Sequence, residues 1–192
     1  MIKETYFPTS IYLEHLNVNN DLLAENIIKI KEKDPEGMWR SNVGKAYHSK
    51  NNLHTYPEFF EIRDLIFQTC KNVCKEQKIT SPIVLVNLWG NVNGKGGSND
   101  IHMHGNSFLS GVYYVKTPEN CGSIRFIDPR PQVEVLIPER EEPLNRDDWP
   151  RVQFKPTPGK LIIFPGYLQH QVFTNQSDEL RISMSFNVAL KL

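Results

Sequence analysis

Three histidines in the second half of the chain have the residue type and spacing of a metal site. His102 and His104 are separated by one residue at the start of the β-rich stretch 101–115. Residues i and i+2 of an extended strand point to the same face, so these imidazoles can converge while Met103 points away. His170 follows a short apolar run and a Pro-Gly turn and offers a third imidazole. Two ligands from one strand and a third from a distant strand form the facial arrangement of non-haem iron sites.

A basic residue downstream of these histidines suggests a second component of the same site. Arg181 and Ser183 lie two residues apart in a strand-like run and therefore share a face. An arginine beside a hydroxyl fits a carboxylate, which a guanidinium can bind through two hydrogen bonds. The pattern predicts an anionic small-molecule co-substrate, and the hydroxyl of Tyr114 would complete its pocket. Two alternatives stay open: Arg181 pairs with a surface acid such as Glu179, or Tyr114 is ordinary core packing.

The other histidines and the cysteines are expected to be structural. His15, His48 and His54 lie in N-terminal or loop segments without a neighbouring partner, so no metal role is predicted for them. Cys70 and Cys74 lie on adjacent turns of a predicted helix, which favours buried free thiols over a disulfide or a metal role.

Composition excludes several classes of partner. The chain has 192 residues, and its 22 lysines and arginines balance 22 aspartates and glutamates. Without a net charge, neither nucleic acid nor an anionic membrane is an expected partner. The first 16 residues lack the apolar core of a signal peptide, and no apolar run reaches the ~18 residues of a membrane span. We therefore expect a cytoplasmic protein.

The elements that position these residues fall into two groups. Helical spacing predicts helices over 19–33 and 57–77. An extended piece at 6–16 precedes them, and loop with short irregular structure is expected over 34–56. From residue 79 onward, β-branched and aromatic runs alternate with turn residues and predict nine strands. These strands are 81–92, 99–105, 107–116, 122–129, 132–138, 151–156, 160–165, 170–175 and 181–190.

This order of elements predicts a mainly β fold with N-terminal helices. An antiparallel barrel or jelly roll with helices packed outside is the expected architecture. We expect a single domain over 1–192, with 1–80 as helical support and 81–192 as the core. The charged, proline-bearing stretch 138–151 would be a surface loop or a lid.

Three sequence blocks resemble a known enzyme family. They are HMHGNSFLSGVYYV (102–115), FPGYLQHQVFTNQSDELRISMSFN (164–187) and VNLWGNV (86–92). The chain resembles the Fe(II)- and 2-oxoglutarate-dependent dioxygenases, in particular a group found in phages and marine bacteria. The resemblance covers residues 81–190 well and the N-terminal part more loosely.

The resemblance implies a fold, cofactors and site residues. The fold would be a double-stranded β-helix, which is a cupin-like jelly roll, holding Fe(II) and using 2-oxoglutarate and O₂. The enzyme would hydroxylate an unknown protein side chain or small molecule and release succinate and CO₂. A homodimer is left open, and a phage-encoded enzyme would act in the host cytoplasm. The implied residues are His102 and His170 for the metal, Arg181, Ser183 and Tyr114 for 2-oxoglutarate, and Asn87, Trp89 and Asn91 along the pocket.

His104 departs from the pattern of the wider superfamily, which has an aspartate or glutamate at this position. Either three imidazoles bind the metal, or His104 lies outside the ligand set and water or another acid, such as Asp100, replaces it. Two further functions compete with the oxygenase. One is a cupin-like module that binds a metal or a sugar without oxygen chemistry. The other is a metal-free structural protein, such as a virion or assembly component, in which the histidines are hydrogen-bonded core residues.

Overall fold

The computed structural model of this chain describes residues 1–130, 132, 135, 138, 139, 141 and 149–191. These residues form two α-helices and eleven strands, and the strands make up two antiparallel sheets. Most of the strands follow the second helix. The helices are α1 (Asn20–Lys33) and α2 (Phe60–Glu76), with single 3₁₀ turns at Leu53–Thr55 and Pro57–Phe59. The strands are β1 (Tyr12–His15), β2 (Asn42–Val43), β3 (Ala46–His48), β4 (Ile83–Asn93), β5 (Ser98–His102), β6 (Leu109–Lys116), β7 (Ile124–Ile127), β8 (Arg151–Phe154), β9 (Lys160–Pro165), β10 (His170–Val172) and β11 (Arg181–Leu190).

The two sheets form the layers of a jelly roll. The major sheet has the order β1-β9-β6-β11-β4-β3, and the minor sheet has the order β2-β5-β10-β7-β8. An apolar cluster that includes Val112 and Phe164 from the major sheet and Phe126 from the minor sheet packs between them. The prediction of a mainly β jelly roll with N-terminal helices is therefore confirmed.

Strand β11 shows how the sequence separates the core from the site. Its alternate residues point to opposite faces of the major sheet. The apolar set packs with α1 and α2 in the main hydrophobic core, whereas the polar set lines a cavity between the sheets. The apolar residues are Ile182, Met184, Phe186 and Val188, and the polar ones are Arg181, Ser183, Ser185 and Asn187.

The helices begin where the sequence indicates and cover the outer face of the major sheet. The side chain of Asn19 accepts a hydrogen bond from the backbone N–H of Leu22 at 3.1 Å, which satisfies one of the free donors at the start of α1. Ile27 and Ile66, one from each helix, are fully buried against the sheet. Cys70 and Cys74 are buried free thiols, as predicted. In the described part of the chain, no helix combines the length and apolarity needed to cross a bilayer.

Short strands occur in a stretch where the sequence shows no clear period. The stretch 34–56 was predicted as loop, but it contains β2 and β3, which pair with β5 and β4. Most of the stretch is irregular, as predicted, and strands of two and three residues are too short to show alternation. The predicted strand 132–138 and the predicted lid 138–151 fall largely on residues outside the described set.

Candidate metal and carboxylate site

The predicted histidines come together in the cavity between the sheets, which has a volume of about 330 Å³. The ligand nitrogens of His102, His104 and His170 all lie within 4.8 Å of one another. The ring centroids are 4.3 Å apart for His102 and His170 and 5.2 Å apart for His104 and His170. This spacing allows the three side chains to share one ion.

Strand pairing positions two of these residues, and a turn positions the third. His170 begins β10 and lies directly opposite His102, the last residue of β5. His104 lies beyond the end of β5, and its backbone N–H donates to the carbonyl of Gly166 at 2.9 Å. Met103 between them is exposed and also lies beyond the end of β5. The Pro-Gly turn after β9 therefore positions His104, which strand pairing does not hold.

Hydrogen bonds set the tautomer of each ring. The Nδ1–H of His102 donates to the carbonyl of Asp100 at 2.6 Å, and the Nδ1–H of His170 donates to the carbonyl of Leu168 at 2.9 Å. A backbone carbonyl can only accept, so in both rings the lone pair is on Nε2. The Nδ1–H of His104 donates to Oδ1 of Asn187 at 2.5 Å. Three Nε2 lone pairs are thus available to a metal, with the oriented ligands typical of metal sites.

Burial keeps the histidines neutral. It lowers the pKa of His104 to about 4 and the pKa of His170 to about 3, and the neighbouring imidazoles reinforce both shifts. Burial also lowers the pKa of His102. A metal binds the neutral form of imidazole, so the rings are ready for an ion near neutral pH.

These pKa shifts predict that the metal-free protein loses stability as the pH falls below about 6.5. In that range the unfolded chain binds protons that the buried His104 and His170 do not, so the free energy of unfolding falls by up to about 1.4 kcal/mol per pH unit for each histidine. Urea titrations at pH 7.5, 6.5 and 5.5 measure this slope. The variant His170→Leu removes one of these groups, and an unchanged slope in that variant would contradict the assignment.

No carboxylate joins the three imidazoles among the residues that the structure describes. Asp100, the acid nearest in sequence, is exposed and contributes its backbone carbonyl to His102 rather than its side chain. The ligand set is therefore neutral. A neutral nitrogen set suits divalent first-row ions such as Fe(II), Ni(II), Cu(II) and Zn(II).

Arg181 is a buried cation whose charge has no counterpart in the described part of the chain. Arg181 is only 2 % exposed, and no described carboxylate lies within 4 Å of its guanidinium. The alternative partner, Glu179, pairs instead with Lys116 at 2.9 Å. The hydrogen bonds of the guanidinium all leave from Nη1, toward the carbonyls of Cys121, Gly122 and Phe173. In this part of the structure, Nε and Nη2 remain for a ligand.

The surroundings of Arg181 complete an anion pocket. Tyr114 lies opposite Ser183 in the pairing of β6 with β11, and both line the cavity with Arg181. Burial raises the pKa of Tyr114, so its hydroxyl stays protonated and can donate. Burial lowers the pKa of Arg181, because removing a cation from water is costly. A carboxylate placed here would remove that cost.

Gly166 controls the turn that places His104, and we expect Gly166→Ala to weaken both folding and metal binding. A Cβ at this position would lie 2.2 Å from the backbone oxygen of Ser107, so the turn must move. Overpacking of this kind costs about 1–3 kcal/mol. Thermal unfolding and Zn(II) titration of the variant measure the two effects. Gly105→Ala is the matched control, because nothing lies within 4 Å of a Cβ there; equal effects would contradict the prediction.

Of the three residues of β4 that the sequence predicts along the pocket, two line the cavity. Trp89 and Asn91 line the cavity, and their side chains are joined by a hydrogen bond of 3.2 Å. Asn87 does not line the cavity. It pairs in register with Asn187 at the edge of the site, and Asn187 is the carboxamide that reaches His104.

Two site residues were missed in the sequence. His48 lies on β3, lines the cavity and stacks on Trp89 with 5.1 Å between ring centroids. Its strand was too short to recognise, so no signal pointed to it. Asn187 also accepts from the hydroxyl of Ser110 at 2.8 Å. Its position six residues after Arg181, on the same strand face, was the signal that could have found it.

Comparisons with known proteins identify a family for this chain and support its fold. Residues 87–187 match the family described as "Putative 2OG-Fe(II) oxygenase". A search of curated protein sequences finds no match to the chain. The structural similarities extend over nearly the whole molecule at low sequence identity, and they show the fold.

Three solved structures illustrate the similarity. A prolyl-4-hydroxylase from Pseudomonas putida is 12 % identical with a TM-score of 0.62, covering 96 % of this chain and 94 % of that one. The collagen prolyl hydroxylase of Paramecium Bursaria Chlorella virus-1, a 2OG complex, is 14 % identical with a TM-score of 0.60, covering 94 % and 96 %. HygX from Streptomyces hygroscopicus, with nickel, 2-oxoglutarate and hygromycin B bound, is 11 % identical with a TM-score of 0.61, covering 96 % and 84 %.

The family match spans more than half of the chain and includes every histidine of the metal group together with Arg181. The cupin-like binding module and the metal-free structural protein are thereby set aside. The chain belongs to the 2OG-Fe(II) oxygenase family.

Proposed function

We propose that His102, His104 and His170 bind Fe(II) and that Arg181, Ser183 and Tyr114 bind the distal carboxylate of 2-oxoglutarate. The observation that carries this proposal is the juxtaposition of three neutral imidazoles with a buried guanidinium that has no acidic partner among the described residues. A cofactor that chelates a metal at one end and presents a carboxylate at the other satisfies both groups.

The reaction proposed is hydroxylation of a C–H bond in a small molecule or a protein side chain. When bound, Fe(II) and 2-oxoglutarate supply the oxidising chemistry: O₂ is consumed, one oxygen atom enters the C–H bond, and the other is found in succinate as CO₂ leaves. The cofactors carry out this chemistry, and the protein binds them and orients them relative to the substrate.

The protein's own residues have three tasks in this proposal. The carbonyls of Asp100 and Leu168 and the carboxamide of Asn187 hold the imidazoles with Nε2 toward the ion. Arg181 orients the co-substrate through a charge-assisted, two-point contact. Apolar residues such as Phe164 and Val112 line the cavity beside them and exclude water.

The neutral ligand set has an electrostatic consequence. With three imidazoles, Fe(II) keeps its full double charge, whereas a carboxylate ligand would remove one unit. One carboxylate of 2-oxoglutarate would balance part of the charge of the ion and the other would balance Arg181, so the co-substrate is expected to contribute strongly to retaining the metal. A histidine instead of a carboxylate at position 104 would thus make Fe(II) binding depend more strongly on 2-oxoglutarate binding.

Anaerobic titration with Fe(II) and 2-oxoglutarate tests the proposal. We expect a weak visible charge-transfer band when both are present, because the keto acid chelates the ion. Glutarate, which lacks the keto oxygen, is the control and gives no band. Absence of the band in the wild-type protein would exclude the proposed function, and succinate formation in air would then be absent too.

A further inference from the structure

The charge of the cavity extends beyond the pocket around Arg181. Among the described residues that line the cavity, the formal charges are those of Arg40 and Arg181, and no aspartate or glutamate is present. Because the histidines are neutral, the cavity is cationic. In the proposed function, Arg181 is matched by 2-oxoglutarate, which leaves the charge of Arg40 for another ligand.

Arg40 is held beside the metal group by its backbone rather than by its side chain. Its N–H donates to Oδ1 of Asn42 at 2.7 Å. The carbonyl of the next residue, Ser41, accepts from the N–H of Asp100 at 2.8 Å, and the Ser41 hydroxyl is 3.5 Å from Nε2 of His102. Residue Arg40 is therefore anchored to β5, one residue from a contact with a proposed metal ligand.

The guanidinium of Arg40 is not neutralised in the described part of the chain. It is exposed, and no described carboxylate lies within 4 Å of it. Its side-chain hydrogen bond is a 3.5 Å contact from Nη1 to the carbonyl of Trp39. A planar fork of donors with a fixed base and no protein anion is suited to a carboxylate or a phosphate.

A second side chain in the same cavity also lacks a partner. The Oδ1 atom of Asn51 is buried and accepts no hydrogen bond from the residues that the structure describes. The Asn51 backbone is fixed against β4, because its carbonyl accepts from the N–H of Leu88 at 3.0 Å. A buried acceptor without a donor costs free energy that an N–H or O–H group of a ligand would recover.

The size of the cavity limits what such a ligand can be. Its volume of about 330 Å³ lies at the low end of the roughly 300–1,000 Å³ of ligand pockets, and 2-oxoglutarate must share it. The part of the ligand that lies inside the cavity must therefore be small.

We propose that the primary substrate is a small organic anion whose carboxylate or phosphate binds Arg40 and whose N–H or O–H group donates to Asn51. This inference rests on the proposed function, because it assigns Arg181 to 2-oxoglutarate. It makes Arg40 and Asn51 specificity-determining residues and places the C–H bond to be hydroxylated between them and the histidines.

Binding to the protein loaded with Zn(II) and 2-oxoglutarate tests this, because no turnover occurs. The probes are N-acetyl amino acids, which combine a carboxylate with an N–H, the same compounds with the carboxylate replaced by a carboxamide, and phosphomonoesters such as phosphoserine. Saturation-transfer NMR identifies binders, and titration gives their affinities. The first and third sets distinguish a carboxylate from a phosphate.

We expect at least one anion to bind, with its uncharged counterpart at least tenfold weaker. Arg40→Gln should lower the affinity for that anion by about 10- to 100-fold, the range for a charge-assisted hydrogen bond. Arg40→Lys should lower this affinity less. Asn51→Ala should weaken binders that carry an N–H or O–H donor. Lys95→Gln, which removes an exposed charge paired with Asp178, is the matched control and should leave the affinity unchanged.

The affinity for 2-oxoglutarate separates the two proposals. It should be the same in Arg40→Gln as in the wild-type protein. If 2-oxoglutarate binds but no anion binds better than its uncharged counterpart, or if Arg40→Gln has no effect, this inference is overturned and the proposed function stands. If 2-oxoglutarate fails to bind the wild-type protein, both are overturned.

Discussion

His170→Ala is expected to abolish Fe(II) binding at micromolar protein concentration and with it all succinate formation. The ring of His170 is the most deeply buried of the three, and its partner across the strand pair is His102. Removing it leaves two imidazoles, one of which lies beyond the end of its strand. We expect the affinity for Fe(II) to fall more than about a hundredfold, beyond the 10- to 100-fold typical of residues that only orient a ligand.

A substitution at Asn187 is expected to lower the affinity for Fe(II) less than His170→Ala does. Asn187→Ala keeps all three imidazoles but removes the acceptor for Nδ1–H of His104, so a loss of about 10- to 100-fold is expected. The exposed His15, far from the group in sequence, is the control, and His15→Ala should bind normally. Anaerobic equilibrium dialysis with Fe(II) measures all three variants, and far-UV circular dichroism checks that they are folded. Metal binding that survives His170→Ala would exclude the proposed ligand set.

Arg181→Gln is expected to raise the KM for 2-oxoglutarate by roughly 30- to 5,000-fold, because truncating one partner of a buried charge pair costs about 2–5 kcal/mol. The effect should be specific to the co-substrate, and Zn(II) binding in its absence should change little. Arg181→Lys keeps the charge but loses the planar fork, so an intermediate KM is expected. Steady-state succinate production against 2-oxoglutarate concentration gives these values.

Tyr114→Phe is the milder companion of the arginine variants. It removes only the hydroxyl opposite Ser183, and the loss of one hydrogen bond of about 0.5–1.5 kcal/mol should raise the same KM by roughly 2- to 12-fold. An unchanged KM in both Arg181→Gln and Tyr114→Phe would show that the carboxylate of 2-oxoglutarate binds elsewhere in the cavity.

The contrast between His104 and Asp100 bears on how this family member differs from the wider superfamily. The sequence left open whether an acid near His102 takes the usual carboxylate position. In the structure the side chain of Asp100 is exposed, and the ring of His104 is turned toward the other two imidazoles by Asn187 and Gly166. The geometry therefore favours three nitrogen ligands.

Much of this molecule follows from its sequence, because the responsible signals are local. Alternation along β11 separates apolar residues from polar ones, and it holds from Arg181 to Val188. Helical spacing with an asparagine cap defines α1. The types and spacing of His102, His104, His170 and Arg181 predict one site, and residues two apart on a strand share a face, as Arg181 and Ser183 do.

What only the tertiary structure decided concerns groups that are distant in sequence and carry no local signal. His48 reaches the cavity through a strand of three residues, and Arg40 is anchored by the backbone of a neighbouring strand. The charge on Arg181 finds no described acid, and this is a property of everything packed around it. Periodicity reports which way a side chain faces, whereas the partner it meets there depends on how the two sheets close on each other.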